Sequence, residues 1–409
     1  MMIVGGGSAI IAFYMAWSIG ANDVANSMAT AVGAKAITFK QAVLIAGVLN
    51  FLGAVLLGPT VASTIKSGII KGGAIADPYV LMLGFVASLL AAALWVTLST
   101  WKEMPISTTH SVIGALIGFG ILAGGLDAVE WIVVGKVVSS WVISPFAGCI
   151  IAFIVFRVIV RLIFDTDNPA QSTKLVGPAI MGFTAALISS SLLMKTKLSE
   201  ILGINDVMQA LLISIIIGLI IWIIAALALK NMKIKTDDEY LQVERLFRKL
   251  QVVTSCYVAF SAGANDVANA IAPVAAILPL AEGNLALTAA IPTELLFLGG
   301  VGIAAGCLTW GRKVMRTVGG RITTLTNTRG FSVDFGAATT VLIASKMGLP
   351  ISTSHTVVGA VIGVGLARGL EAVDLSVIKN IVKSWLLTVP VAAATSAVIF
   401  IILRVIVGV

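Results

Sequence analysis

Charge is scarce in this chain. Only 11% of its 409 residues are Asp, Glu, Lys or Arg, against about 25% in a soluble domain. That excludes a water-soluble globular fold and a polar disordered chain alike. With 58% hydrophobic residues, the composition is that of a helical protein that crosses a membrane many times. Cysteine is scarce too. Cys149, Cys256 and Cys307 lie in apolar stretches without CxxC spacing, which excludes a disulfide framework or a thiolate metal centre and leaves them as packing residues. Only two histidines occur, His110 and His355, and neither lies in a metal-ligand cluster. A cleavable signal peptide is not expected, because the first apolar segment runs straight into a polar motif. The net charge of +8 is assigned to cytoplasmic loops, not to nucleic-acid binding.

Glycine is abundant, with forty residues, as suits tightly packed or interrupted membrane helices. Apolar segments of spanning length run near 3–33, 42–64, 79–100, 131–163, 176–194, 206–229, 252–280, 285–310 and 375–407. Residues 105–126 and 332–370 are apolar but broken by Pro, Gly and Ser/Thr clusters, and are expected to be re-entrant or interrupted helices. Three regions follow. A first transmembrane repeat covers 1–165. A linker of two further spans and a charged loop covers 166–249. A second repeat covers 250–409.

The charged loop carries its own helix signal. Thr236 and Glu239 form a capping box, and Val243, Leu246, Phe247 and Leu250 fall on one helical face. An amphipathic helix lying on the cytoplasmic membrane surface is expected. Lys230, Lys233, Lys235, Arg245, Arg248 and Lys249 put this loop inside, as do Arg312, Lys313, Arg316, Arg321 and Arg329 for a later loop. Arg157 and Arg161 bring the first repeat to the same side. If each repeat makes an odd number of crossings, the two are inverted relative to each other, with both termini outside. Lys66 and Lys71 then fall outside, against the rule.

Two polar motifs interrupt the apolar background, and each occurs twice. Gly-Ala-Asn-Asp-Val-Ala-Asn spans Gly20–Asn26 and Gly263–Asn269. Pro-Ile-Ser-Thr-[Thr/Ser]-His spans Pro105–His110 and Pro350–His355. Asn22 and Asn265 are 243 residues apart, and His110 and His355 are 245 apart. Two unrelated motifs with nearly one offset mark a duplicated unit. A bare carboxylate at membrane depth costs at least about 2.5 kcal/mol, so Asp23 and Asp266 need a cation, a proton or hydrogen-bond donors. Asn22 and Asn26 share a helical face, and Asn and Asp oxygens suit hard cations such as sodium. Gly20 is expected to let the helix unwind and free backbone carbonyls. In the second motif, proline and the hydroxyls of Ser107, Thr108 and Thr109, and of Ser352, Thr353 and Ser354, are suited to open half-helices. Such ends offer free N–H groups, hydroxyl donors and a positive dipole. Two meeting head-on would surround a tetrahedral oxyanion without any basic residue. His110 and His355 are open to three roles, as proton acceptor, anion donor or packing residue, and bracing the hairpin is preferred.

These paired motifs closely resemble those of the inorganic phosphate transporter (Pit) family, the sodium-phosphate symporter type, and the resemblance covers both repeats. It implies an all-α polytopic protein of the cell membrane with two inverted repeats, each with a broken helix and a re-entrant hairpin, assembled as a homodimer in the lipid bilayer. It implies a phosphate site and cation sites near the midplane. By position, Asp23, Asn26, Asp266 and Asn269 join the hairpin hydroxyls of Ser107, Thr108, Thr109, Ser352, Thr353 and Ser354 around phosphate. Asn22 and Asn265, with the two aspartates, fall among the sodium ligands. Gly330-Phe-Ser-Val-Asp334 resembles a family segment that carries an acidic residue. Asn50 stands where relatives often have glutamate.

The expected function is import of inorganic phosphate by symport with sodium, through alternating access and with no organic cofactor. The alternative is a proton-coupled phosphate, metal-phosphate or sulfate permease. A hydrolase using Asp23 and Asp266 as an acid pair would leave the hydroxyl clusters unexplained. A channel would favour a continuous, weakly binding path over two converging hairpins.

Overall fold

The computed structural model describes the chain except residues 1, 59–61, 63–64, 66–67, 72, 195–196, 205, 231–237, 282–290, 321–322 and 409. Among the described residues the structure is helical, and the single strand-like feature is a bridge between Ile70 and Val129. Eight helices there are long and apolar enough to cross a membrane. The first repeat contains α1 (Met2–Gly33), α2 (Phe39–Leu57), α3 (Pro78–Trp101), α4 (Thr108–Gly124) and α5 (Trp131–Ile159). The linker contributes α6 (Pro169–Leu193) and α7 (Val207–Lys230). The second repeat holds α8 (Glu239–Ala281), α9 (Thr293–Trp310), the short α10 (Arg312–Gly320), α11 (Asn327–Lys346), α12 (Thr353–Arg368) and α13 (Leu375–Val407).

Helix starts follow local chemistry. Thr38 and Gln41 form a capping box at α2, and Asp77 caps α3 with Pro78 in its first turn. Asp374 caps α13, and the Ser376 hydroxyl with the Val377 and Ser376 amides holds its carboxyl below the usual carboxylate range. A third duplicated element, not picked out from the sequence, precedes two of the helices. Leu126–Ala128 and Leu370–Ala372 are matching short 3-10 turns before α5 and α13, preceded by Gly125 and Gly369 at φ 76° and 115°.

The repeats are interlocked. α1 packs on α9 and α8 on α2, α4 packs on α13 and α12 on α5, and α3 packs on α13 and α11 on α5. The two repeats thus pack on each other along many of their helices. The linker helices α6 and α7 pack mainly on each other, and α6 also reaches α8.

Two expectations are corrected here. First, neither motif helix is broken: α1 and α8 run unbroken through Gly20–Asn26 and Gly263–Asn269. The glycines serve close approach. A Cβ at Gly20 would collide with the Ile303 carbonyl of α9, and one at Gly263 with the Asn50 carbonyl of α2. Gly263→Leu is therefore expected to destabilise the protein by at least about 1–3 kcal/mol, read as a lower melting temperature in detergent. Gly135→Ala, where a Cβ meets open space, should leave it unchanged.

Second, the amphipathic segment is not a separate helix on the membrane surface. It is the start of α8, so the expected boundary at 249/250 falls inside one helix. Val243, Phe247 and Leu250 are buried against Ile159, Ile163, Phe331 and Phe335. Its apolar face pairs with protein because three anchors hold it there. Glu239 accepts the Ala170 amide at the start of α6 (3.1 Å), Glu244 accepts the Thr328 amide and hydroxyl at the start of α11 (3.1 and 2.6 Å), and Arg248 donates to the Ala36 carbonyl just beyond α1 (2.8 Å). The capping residue expected there, Thr236, lies outside the described residues, as do Lys66, Lys233, Lys235 and Arg321.

Candidate functional site

The site is built from two helical hairpins, α3–α4 and α11–α12. The residue before a proline is biased away from helix, so the chain stays extended through Pro105–Ser107 and Pro350–Ser352 before each second arm begins. Ser107 and Ser352 are the N-caps of α4 and α12, with nearly equal backbone angles (φ −89°, ψ 115° and φ −89°, ψ 110°). Their hydroxyls accept the amides of His110 and His355, each at 3.2 Å. These two serines therefore face their own helices, and the next two residues of each motif reach across.

Thr109 donates to the Ile351 carbonyl (3.1 Å) and Ser354 to the Ile106 carbonyl (2.8 Å), so each hairpin tip holds the other. Thr108 donates to Asp23 (2.9 Å) and Thr353 to Asp266 (3.4 Å). Asn26 donates to Asp23 (2.9 Å), Thr353 (3.3 Å) and Ser354 (2.9 Å). Asn269 donates to Thr108 (3.4 Å) and Thr109 (3.1 Å). All are buried. Two aspartates, two asparagines and two positive helix ends thus converge, and among the described residues no Lys or Arg bonds to any of them.

Asn22 and Asn265 flank this centre. Asn22 donates to Thr100 (2.9 Å) and the Met104 carbonyl (3.2 Å). Asn265 donates to Asp266 (2.8 Å) and the Ile351 carbonyl (3.0 Å). Their amide oxygens are buried without a hydrogen-bond donor, as is that of Asn269. An oxygen in that position is costly alone and fits a hard cation. The described residues hold no cluster of three His, Cys, Asp or Glu side chains, so transition-metal chemistry has no donor set there. The Asn50 side chain donates to the Ala46 carbonyl of its own helix (2.8 Å), while its backbone packs against Gly263 at the start of the second Gly-Ala-Asn-Asp motif.

The profile of the phosphate transporter family matches residues 19–396, which contain both copies of both motifs. The chain belongs to the phosphate transporter family. A Pyrococcus horikoshii protein that carries the name phosphate permease is 51% identical over 392 residues, covering 96% of this chain and 95% of that one. The chloroplastic inorganic phosphate transporter 2-1 of Arabidopsis thaliana is 40% identical over 418 residues, covering 96% of this chain and 70% of that one. A solved structure described as the sodium-dependent phosphate transporter superposes with a TM-score of 0.92 at 47% identity, covering 99% of this chain and 100% of that one.

Two features of this phosphate transporter were not predicted from its motifs. His110 and His355 meet each other at 4.3 Å between ring centroids, and each lies 3.6 Å from a tryptophan, Trp141 and Trp385 respectively. His355 Nδ1 is 3.4 Å from the Trp141 carbonyl, which Pro145 four residues on leaves without its helical donor. The contacts of the two histidines are thus mainly through ring faces. The periodic spacing of the tryptophans, 244 residues, was the signal available. The second feature is the set of partners of Asp334, whose acidic position alone was marked in the sequence. Asp334 is buried in α11 and accepts hydroxyls from Thr30 of α1 and Ser255 of α8. Gln251 lies one turn before Ser255, buried, with both side-chain polar atoms unpartnered. No local pattern links residues 304 apart, such as Thr30 and Asp334.

Proposed function

We propose that this phosphate transporter is a sodium symporter that works by alternating access around the buried centre. The observation that carries the reading is the charge balance of that centre. Asp23 and Asp266 meet beside two helix ends and without a basic residue, and a phosphate ion adds about one or two further negative charges. Each helix end supplies only about half a positive charge. Cations complete the balance, and the donor-free oxygens of Asn22 and Asn265 with the two aspartates are the ligands to hold them. Thr108, Thr109, Thr353, Ser354, Asn26 and Asn269 supply the donors that a tetrahedral oxyanion needs. The sodium dependence of the structurally similar transporter supports this reading. Uptake into proteoliposomes with sodium and proton gradients imposed separately tests it. A sodium gradient should drive uptake at fixed pH, and drive by a pH gradient alone would replace sodium with the proton.

The same reading includes inverted repeats. Three crossings per repeat (α1, α2 and α5, then α8, α9 and α13), with each hairpin entering and leaving on one side, place both termini outside and the Lys230–Gln251 loop inside. Lys249, near the start of α8, is exposed, so a cysteine placed there is a probe of the side. In a background lacking the native cysteines it should react with membrane-impermeant reagent only from inside. Labelling from outside refutes the topology.

A further inference from the structure

We propose that Arg329 and Arg368 form a second anion site, one that takes a phosphate group, at the base of the α11–α12 hairpin. Arg329 lies at the start of α11 and Arg368 at the end of α12, so the pair joins the two arms where they leave the molecule. Both guanidinium groups converge on one hydroxyl. Arg368 Nη1 donates to Thr324 Oγ1 (3.1 Å) and Thr323 Oγ1 (3.3 Å), and Arg329 Nη1 donates to the Thr324 carbonyl (3.1 Å) and Oγ1 (3.4 Å). Like charges brought this close disfavour each other, and among the described residues neither guanidinium is bonded to a carboxylate. Glu244 is close to Arg329, but it accepts the Thr328 amide and hydroxyl and makes no hydrogen bond to the guanidinium. Most N–H groups of the two planar forks stay available, and bidentate recognition of phosphate oxygens is what that geometry serves.

The duplication makes the pair informative. The segment Ala367-Arg-Gly-Leu-Glu-Ala-Val-Asp374 has its counterpart in Ala123-Gly-Gly-Leu-Asp-Ala-Val-Glu130. The backbone turn is the same, with Gly369 and Gly125 both at positive φ. Arg368 therefore stands where the other repeat has Gly124, and closing the hairpin does not require it. The arginine pair occurs at one base only. That base adjoins the start of α8, which Glu244 and Arg248 tie to α11 and to the end of α1, so it lies on the face that gathers the basic loops. A phosphate group held there would link the two arms of one hairpin and tie its mobility to whatever supplies that group. Two sources share the chemistry, free inorganic phosphate and the headgroup of an anionic phospholipid. The proposal stands independently of sodium coupling.

Hydrogen exchange of the full chain in nanodiscs tests it locally, so that binding at the central site is not mistaken for it. In one arm, inorganic phosphate is titrated into protein in phosphatidylcholine discs in a sodium-free choline buffer. In the other, discs with and without phosphatidic acid are compared in the absence of free phosphate. Slower exchange in residues 323–330 and 366–372 is expected in at least one arm, and the arm that responds identifies the source. Arg368→Gly, the residue the other repeat uses, and Arg329→Gln should require roughly tenfold more ligand or lose the protection altogether. No protection in either arm, or protection that survives in both variants, overturns the proposal.

Discussion

Replacing Asp23 with asparagine is expected to cut phosphate uptake by about a hundredfold and to flatten its dependence on sodium. Asp23 accepts Thr108 and Asn26, at 2.9 Å each, so it joins its own motif helix to a helix end of one hairpin. The substitution keeps the volume and removes the charge. Like charges about 4 Å apart repel by about 4 kcal/mol even at an effective dielectric near 20, so a wild-type centre holding Asp23, Asp266 and phosphate binds them together only with cations present. On the proposed reading, without the carboxylate a cation loses its main ligand and phosphate loses the cation. Coupling free energies of about 1–3 kcal/mol correspond to roughly 5–150-fold in affinity, and linkage makes them reciprocal. Phosphate should therefore raise sodium affinity by the factor by which sodium raises phosphate affinity. Asp266→Asn should act alike. The measurement is phosphate binding to purified protein as sodium is titrated in a choline background. Wild-type affinity that stays flat from zero to saturating sodium, and is unmoved by pH, would end this mechanism.

The second large effect concerns the choice of oxyanion. Phosphate at neutral pH still carries a proton on oxygen, whereas sulfate only accepts. Asp23 and Asp266 are acceptors placed beside the hydroxyls of Thr108 and Thr353. They can take the phosphate proton in a hydrogen bond, and they repel sulfate. A site built to pair a donor rejects an analogue lacking it by up to roughly 10⁴. Sulfate in large excess should thus leave phosphate uptake nearly untouched. The gap should narrow in Asp23→Asn and Asp266→Asn, because an amide can offer sulfate the donor that the carboxylate withholds. Equal competition by sulfate in the wild-type protein would refute the argument.

Much of the centre was legible from residue order alone. Asp23, Asn26, Asp266, Asn269 and the hydroxyls of Thr108, Thr109, Thr353 and Ser354 converge, because duplicated polar residues in an apolar chain have few purposes, whereas the Ser107 and Ser352 hydroxyls, expected with them, turn to cap their own helices. The capping of α4 and α12 was legible too, since proline and serine act on their immediate neighbours. The unbroken course of α1 and α8 was not. Glycine in a membrane helix serves either an opening or a close contact, and the Ile303 and Asn50 carbonyls that decide between these belong to other helices. The start of α8 misled for a related reason. Its stripe of Val243, Phe247 and Leu250 specifies that one face is covered, but lipid and protein are equally apolar. Asp334 was marked as an acidic position, while Thr30 and Ser255 lie on helices far away in sequence.

The interlocking of the repeats has a consequence in time. Asn26 of the first repeat donates to Thr353 and Ser354 of the second, and its bond to Ser354 spans 328 residues. Synthesis at about 5–20 residues per second puts the two roughly 15–65 s apart. Thr108 can reach Asp23 sooner, 85 residues on, but the opposing helix end does not yet exist. For most of its biogenesis the first repeat is a carboxylate-bearing bundle in lipid, with the surfaces that will meet the second repeat still bare. Its survival then depends on how quickly the last hairpin is made and inserted, so a pause in translation before Pro350 endangers this protein more than an equal pause after it.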